Sequence, residues 1–248
     1  MGTIAGMKCP YIDAGVFAYP LSHTTTNRMV LTARSLGFHG LIIREPWSRD
    51  ATSSSLRSLH SSPHLQQDKN FFLIQGRVYS SLNQKELRRA MQNTEMLPSV
   101  QIPTLHIVDA GDIAYNRWVL TTPEISILSR IYAVSRQAFD HVCAKSAVDH
   151  NICVDINLAA LVDKGIARQK ALRQYEHIVT LARKYEFGLT ISSGAKGYLG
   201  LCTPREIMAM CTLFGMDEDM VVRSLSTPFH LLYPHQCVRQ VVQEKGGI

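Results

Sequence analysis

The chain has 248 residues, 46% of them hydrophobic, and a mean hydropathy of −0.02, the balance of a soluble globule that can bury a sizeable core. No apolar run reaches the roughly 18 residues that suggest a membrane span, and the opening MGTIAGMKCP lacks the charged and apolar parts of a signal peptide. A formal net charge of +6 and a pI of about 9.1 are compatible with a nucleic-acid partner and are reached by many enzymes too.

Six cysteines (Cys9, Cys143, Cys153, Cys202, Cys211, Cys237) are scattered with no CxxC pair. That pattern argues against a zinc finger or a disulfide framework and for free thiols in a reducing, cytoplasmic setting.

In chain order, residues 11–18 read as a first strand. A helix follows from about Thr26 to Leu36, with Met29, Val30, Ala33 and Leu36 on one face and Gly37 as its stop. Residues 40–44 form the second strand, so the chain opens with a βαβ unit, whose crossover is right-handed. Composition then changes: about 46–70 is a Ser-rich exposed insertion with one short helical turn near Leu56. Strands are expected at 71–79, 105–108, 125–128, 152–156 and 189–191. Helices are expected at 84–91, 109–120, from Ser135 or Asp140 through Val148, at Ile166–Tyr185, at 204–214, at 217–225 and in the tail from Pro234. The helix over Ile166–Tyr185 is the longest, with Leu172, Tyr175, Ile178, Val179, Ala182 and Tyr185 recurring at threes and fours opposite a cationic face. Seven short strands alternating with helices predict an α/β fold with a parallel sheet, closed or nearly closed into a barrel, over a single domain spanning 1–248.

The informative stretch is Leu189 to Met216. A buried strand runs into Ile191-Ser192-Ser193-Gly194-Ala195, then Lys196-Gly197, then a helix start at Thr203-Pro204-Arg205-Glu206 with capping-box spacing. Leu213-Phe214-Gly215-Met216 follows, and a second helix after it. Upstream lies Phe139-Asp140-His141-Val142-Cys143-Ala144-Lys145. With these motifs in this order the chain resembles protein component 3 of archaeal ribonuclease P, the family whose eukaryotic relatives are the thirty-kilodalton subunit of that enzyme. The resemblance implies a TIM-barrel-like fold, incomplete or distorted, related to metal-dependent phosphoesterases of the polymerase and histidinol phosphatase type. It also implies a non-catalytic protein subunit, in an enzyme whose RNA, with its bound magnesium, removes the 5′ leader of precursor tRNA. This chain would itself bind no cofactor. The implied partners are the ribonuclease P RNA, protein component 2 in a heterodimer or two-plus-two assembly, the other protein subunits, and precursor tRNA as the substrate of the whole. Two cations common in relatives are missing: Ala159-Ala160 stands where Arg-Pro is frequent, and Cys202 where an Arg precedes the helix start.

The rival reading is a metal-dependent phosphoesterase on the same barrel. It needs several His, Asp and Glu ligands at the strand ends. The first strand offers Asp13 and then Gly15 instead of an HxH pair, His106 and Asp155 lie within strands, and adjacent Asp140 and His141 point in different directions on a helix. Ser192-Ser193-Gly194 is not a nucleophile elbow. The loop Gly194-Ala195-Lys196-Gly197 can cradle an anion on its amides, with a plain solvated turn as the alternative. RNA binding rests on distributed cations of the C-terminal half, each alone compatible with a solvated surface: Arg136, Lys145, Lys184, Lys196 and Arg205, with Arg168, Lys170 and Arg173 beside them. His141 joins the candidates because it shares a helix face with Lys145. Phe229 to Tyr233 is either a partner patch or core.

Overall fold

The computed structural model describes residues 10–17, 23–47, 71–95, 103–162 and 165–234. Apart from Pro46 and Trp47, the insertion expected at 46–70 lies outside the described residues, as does the tail helix expected beyond Pro234.

Seven parallel strands pair in sequence order: β1 (Ile12–Val16), β2 (Gly40–Pro46), β3 (Phe72–Tyr79), β4 (Thr104–Asp109), β5 (Ile127–Ser129), β6 (Cys153–Asn157) and β7 (Leu189–Ser192). The register runs unbroken where the strands are longest, from Gly40 opposite Phe72 to Pro46 opposite Val78. The sheet curls until its edges meet. Beyond β7 the Gly194 amide donates to the Gly15 carbonyl at 2.9 Å, and the Phe17 amide donates to the Ala195 carbonyl at 2.7 Å. The result is a nearly closed, seven-stranded, TIM-like barrel.

Outside it lie α1 (His23–Ser35), α2 (Gln84–Glu95), α3 (Ile113–Val119), α4 (His141–Asp149), the short α5 (Ala159–Val162), α6 (Ile166–Tyr185), α7 (Pro204–Cys211) and α8 (Glu218–Leu232). Side chains alternate across each strand. Leu41, Ile43, Val108, Leu128, Val154 and Ile156 join the large cluster under the helices. Ile12, Ile42, Ile74, Leu105, Ile107, Ile127 and Cys153 form a separate cluster inside the barrel.

Caps set several boundaries. Asp112, expected with Gly111 near the start of the helix at 109–120, accepts the Tyr115 amide and caps α3, and residues 110–112 are a loop leaving β4. Asp140, not Ser135, caps α4 by accepting the Val142 and Cys143 amides. Thr203 and Glu206 form the full capping box of α7, and Gly215 at φ 88 ends the 3-10 turn that follows it.

The last helix departs most from expectation, running past Leu225 and through Pro228 to Leu232. Proline removes one backbone hydrogen bond. The hydroxyls of Ser224, Ser226 and Thr227 all donate to carbonyls one turn back, and burial of Phe229 holds the extra turn in place. Phe229 enters the inner cluster and meets Phe72, the first residue of β3, edge-on at 5.1 Å. Leu231, Leu232 and Tyr233 pack around it. Of the two readings of 229–233, core is the one that holds: this segment plugs the N-terminal end of the barrel. Truncating the plug, Phe229→Ala, is expected to lower the unfolding free energy by about 3–5 kcal/mol, read from urea titrations.

Candidate functional site

Towards the C-terminal ends of the strands the barrel interior turns polar. Arg44, on the inner face of β2, is 4% exposed and Asp155 of β6 is fully buried. Their side chains meet at 2.8 Å. Asp155 also accepts from Ser129 of β5 at 3.0 Å and from Thr190 and Ser192 of β7 at 3.1 and 2.9 Å. The guanidinium donates twice to the Ala14 carbonyl of β1, at 3.0 and 2.9 Å, and once to the Ser129 hydroxyl at 2.8 Å. One ion pair therefore ties five strands across the barrel. Gly15 makes room for it, because a Cβ there would sit 2.1 Å from the Arg44 Nε.

Beside this pair lies Asp13, fully buried in β1. Its Oδ1 accepts the amides of Gly15 and Ser193, both at 3.0 Å, which stitches β1 to the loop after β7. Its Oδ2 finds no hydrogen-bond partner among the described residues. Burial pushes this carboxyl up to about 6, against the pull of the Ser193 and Gly15 hydrogen bonds and of Arg44.

The same seam decides the role of the glycine loop. The Gly194 amide is used in closing the barrel and the Ala195 amide donates to the Ser193 hydroxyl at 3.2 Å. Gly194 itself is left-handed, φ 67, and a Cβ there would meet Asn157 and Ala159 at 2.6 and 2.7 Å. Of the amides at 194–197 the first two are bonded inside the fold, and Lys196 is exposed to solvent.

The other candidate cations sit on loops and helix starts. Arg136 lies in a 3-10 turn beyond β5, His141 opens α4, Lys145 is one turn further on, and Arg205 is in the first turn of α7. All are exposed. Arg136, Lys145, Lys196 and Arg205 make no ion pair among the described residues. The His141 side chain makes no hydrogen bond among them either; the helix start is capped by Asp140. Burial alone would raise the Asp140 carboxyl, but the Cys143 amide and Arg117 at 2.6 Å bring it down to about 2. Lys184 is placed apart. It lies in the last turn of α6, whose 20 residues put it roughly 30 Å from the helix start and so at the opposite end of the barrel.

Among the described residues no three His, Cys, Asp or Glu side chains are grouped to hold a metal ion. The interior acid best placed for one, Asp155, is already engaged by a guanidinium and three hydroxyls. The phosphoesterase alternative finds no support in this arrangement. No helix among the described residues is long and apolar enough to cross a membrane.

A family model described as RNase P subunit p30 matches residues 10–240. The chain belongs to that family. It is 29% identical over 214 residues to Ribonuclease P protein component 3 of Methanothermobacter thermautotrophicus, covering 85% of this chain and 84% of that one. The protein of the same name from Methanosarcina barkeri is 26% identical over 220 residues, covering 88% and 87%. A chain in the cryo-EM structure of archaeal Ribonuclease P with mature tRNA superposes with a TM-score of 0.69, at 17% identity, over 96% of this chain and 94% of that one. That likeness carries the barrel fold.

In this p30-family chain the residue that sequence reasoning passed over is Arg44. Read along the chain it is only the last residue of an apolar strand; its signal was a charge at an inward-facing register position. Replacing it with methionine leaves Asp155 buried without its counter-charge, a loss of about 3–5 kcal/mol in unfolding free energy. The double variant Arg44→Met/Asp155→Leu is expected to lose less than the sum of the two single changes. Asp13 sets a pH dependence. Its folded-state value of about 6 lies above the ordinary 3.8, so the folded chain keeps a proton that the unfolded chain has lost. Stability from that proton is complete below about pH 4 and is lost as pH rises through 6. Relative to Asp13→Asn, the wild type is expected to lose on the order of 3 kcal/mol between pH 4 and pH 8 in denaturant titrations.

Proposed function

We propose that this chain is a non-catalytic protein subunit of ribonuclease P, supporting the catalytic RNA and its magnesium in removing the 5′ leader from precursor tRNA. Membership of the RNase P subunit p30 family over residues 10–240 carries the reading. The chemistry of the surface agrees with it. Arg44, Asp155 and the hydroxyls around them bond to one another across the barrel, while cations without ion-pair partners among the described residues stand around its mouth. Such cations bind phosphates by releasing counterions. Arg adds a bidentate fork and Lys a point charge.

The RNA-facing surface in this reading is the loop end of the barrel: Arg136, Lys196 and Arg205, with His141 and Lys145 on the adjoining turns of α4. Lys184 belongs to it only if the RNA wraps the flank. The working form is a cytoplasmic assembly with the RNA, protein component 2 and the other protein subunits. The chain acts there as one barrel domain, 1–248, with the Ser-rich segment 46–70 inserted after β2.

Precursor tRNA cleavage, reconstituted at low magnesium from the RNA subunit and protein component 2, is expected to rise when this chain is added and to vanish without the RNA. No effect on cleavage, together with phosphoester hydrolysis by the chain alone with added metal, overturns the proposal. In filter-binding titrations the triple variant Arg136→Ala/Lys196→Ala/Arg205→Ala should flatten the slope of log affinity against log salt by about 0.7–0.9 for each phosphate contact removed. Lys184→Ala is expected to leave that slope nearly unchanged.

A further inference from the structure

Four non-glycine residues among those described have a left-handed backbone: Ser81, Arg130, Asn151 and Glu186. Asn151 and Glu186 follow the ends of α4 and α6, where that conformation is ordinary. Ser81 and Arg130 have no such reason. They follow β3 and β5, the neighbours of β4 on either side, and both line one crevice of about 390 Å³ at the C-terminal end of these strands. That size falls within the roughly 300–1,000 Å³ of small-molecule sites, and strand ends on this side of a barrel are where ligands bind. Strained residues converging on one cavity are grounds for a functional hypothesis.

The lining has a definite chemistry. Asp109 and Asp112 contribute two carboxylates and Tyr115 an aromatic wall. Asp109 Oδ2 accepts from Ser80 at 2.6 Å and lies 3.5 Å from Arg130, while Asp112 Oδ1 accepts the Tyr115 amide at 2.8 Å. The second oxygen of each carboxylate has no partner among the described residues. The Arg130 side chain is 54% exposed, which leaves much of its fork open to solvent. Burial, and then the Asp109 charge, push the Tyr115 phenol up to about 12, so it stays a neutral donor. The wall is rigid: the buried Asn116 amide accepts from the Gly111 amide and donates to the carbonyls of Gly111 and Ala138.

We propose that this crevice takes one unstacked guanine nucleotide. Guanine fits because its N1–H and exocyclic N2–H are adjacent donors, matched to carboxylate acceptors; adenine and uracil would each aim an acceptor at the acids. The base lies along Tyr115 and the phosphate, repelled by the carboxylates, sits on the solvent side at Arg130. The inference rests on the RNA-binding reading above and assigns it a subsite. A free guanosine nucleotide would present the same chemistry.

Guanosine monophosphate titrated into the full chain, followed by the fluorescence of Trp118 beside Tyr115, is expected to bind about tenfold or more tightly than adenosine monophosphate. Arg130→Gly suits a φ of 55, so that variant should fold at least as stably as the wild type yet lose guanosine monophosphate binding by about tenfold. Tyr115→Leu should weaken it as well. Equal binding of the two nucleotides, competition by inorganic phosphate alone, preference for a lysine-rich peptide, or unchanged binding by Arg130→Gly overturns the proposal. In the assembled complex, weaker RNA association for Arg130→Gly together with competition by guanosine monophosphate places the nucleotide in the RNA. Unchanged RNA association with nucleotide binding lost supports the crevice as a site for the free nucleotide. Binding is read on the isolated chain and cleavage on the assembly, so loss of the crevice leaves the subunit reading standing, and failure of the cleavage assay is seen independently.

Discussion

The buried pair of Arg44 and Asp155 is the constraint on which the rest of the barrel turns. Two charges taken out of water are tolerated only when nearly every donor and acceptor around them is matched. Here Asp155 receives three hydroxyls as well as the guanidinium, and Arg44 bonds to β1 and β5 as well as to β6. The partners come from strands far apart in sequence, so the network is satisfied only when the sheet has curled. Gly15 follows from it, because a Cβ there would press on the Arg44 guanidinium; a Cβ at Gly76 would instead meet Ile42 and Ile107 of the inner cluster at 2.7 and 2.9 Å.

That pair also divides the interior into two ends of different character. The N-terminal end is filled with aliphatic side chains and sealed by Phe229. The C-terminal end is polar and crossed by hydrogen bonds, and the β1–β7 seam closes there through Asp13, Gly15 and Gly194 rather than through a regular ladder. This barrel uses its central acid, Asp155, to hold its own strands together. Its surface resources are the loops, and the loops carry the free cations and the crevice between β3 and β5.

Much of this was legible in the residues. Strand and helix alternation, the helix over Ile166–Tyr185, the capping box at Thr203 and Glu206, and the Gly215 stop are local features, set by side chains within a few positions of one another. They depend on periodicity and capping, which a linear reading captures. The motifs at 139–145 and 191–216 identified the family for the same reason: they are contiguous. The extension of α8 through Pro228 was not legible, because proline is a local stop signal and the burial of Phe229 against Phe72 is a long-range one.

The class of fold, the order of the elements and the family follow from composition, spacing and contiguous motifs, which survive without three dimensions. Which charges are structural and which are free is settled by folding alone. Arg44 and Arg136 look alike along the chain; one is buried against Asp155 and the other stands in solvent. The same holds for Asp13 against Asp112, and for the Gly194 loop, whose first amide is bonded to β1. Burial and hydrogen-bond pairing are properties of residues brought together from 30 to 180 positions apart, and no local pattern encodes them.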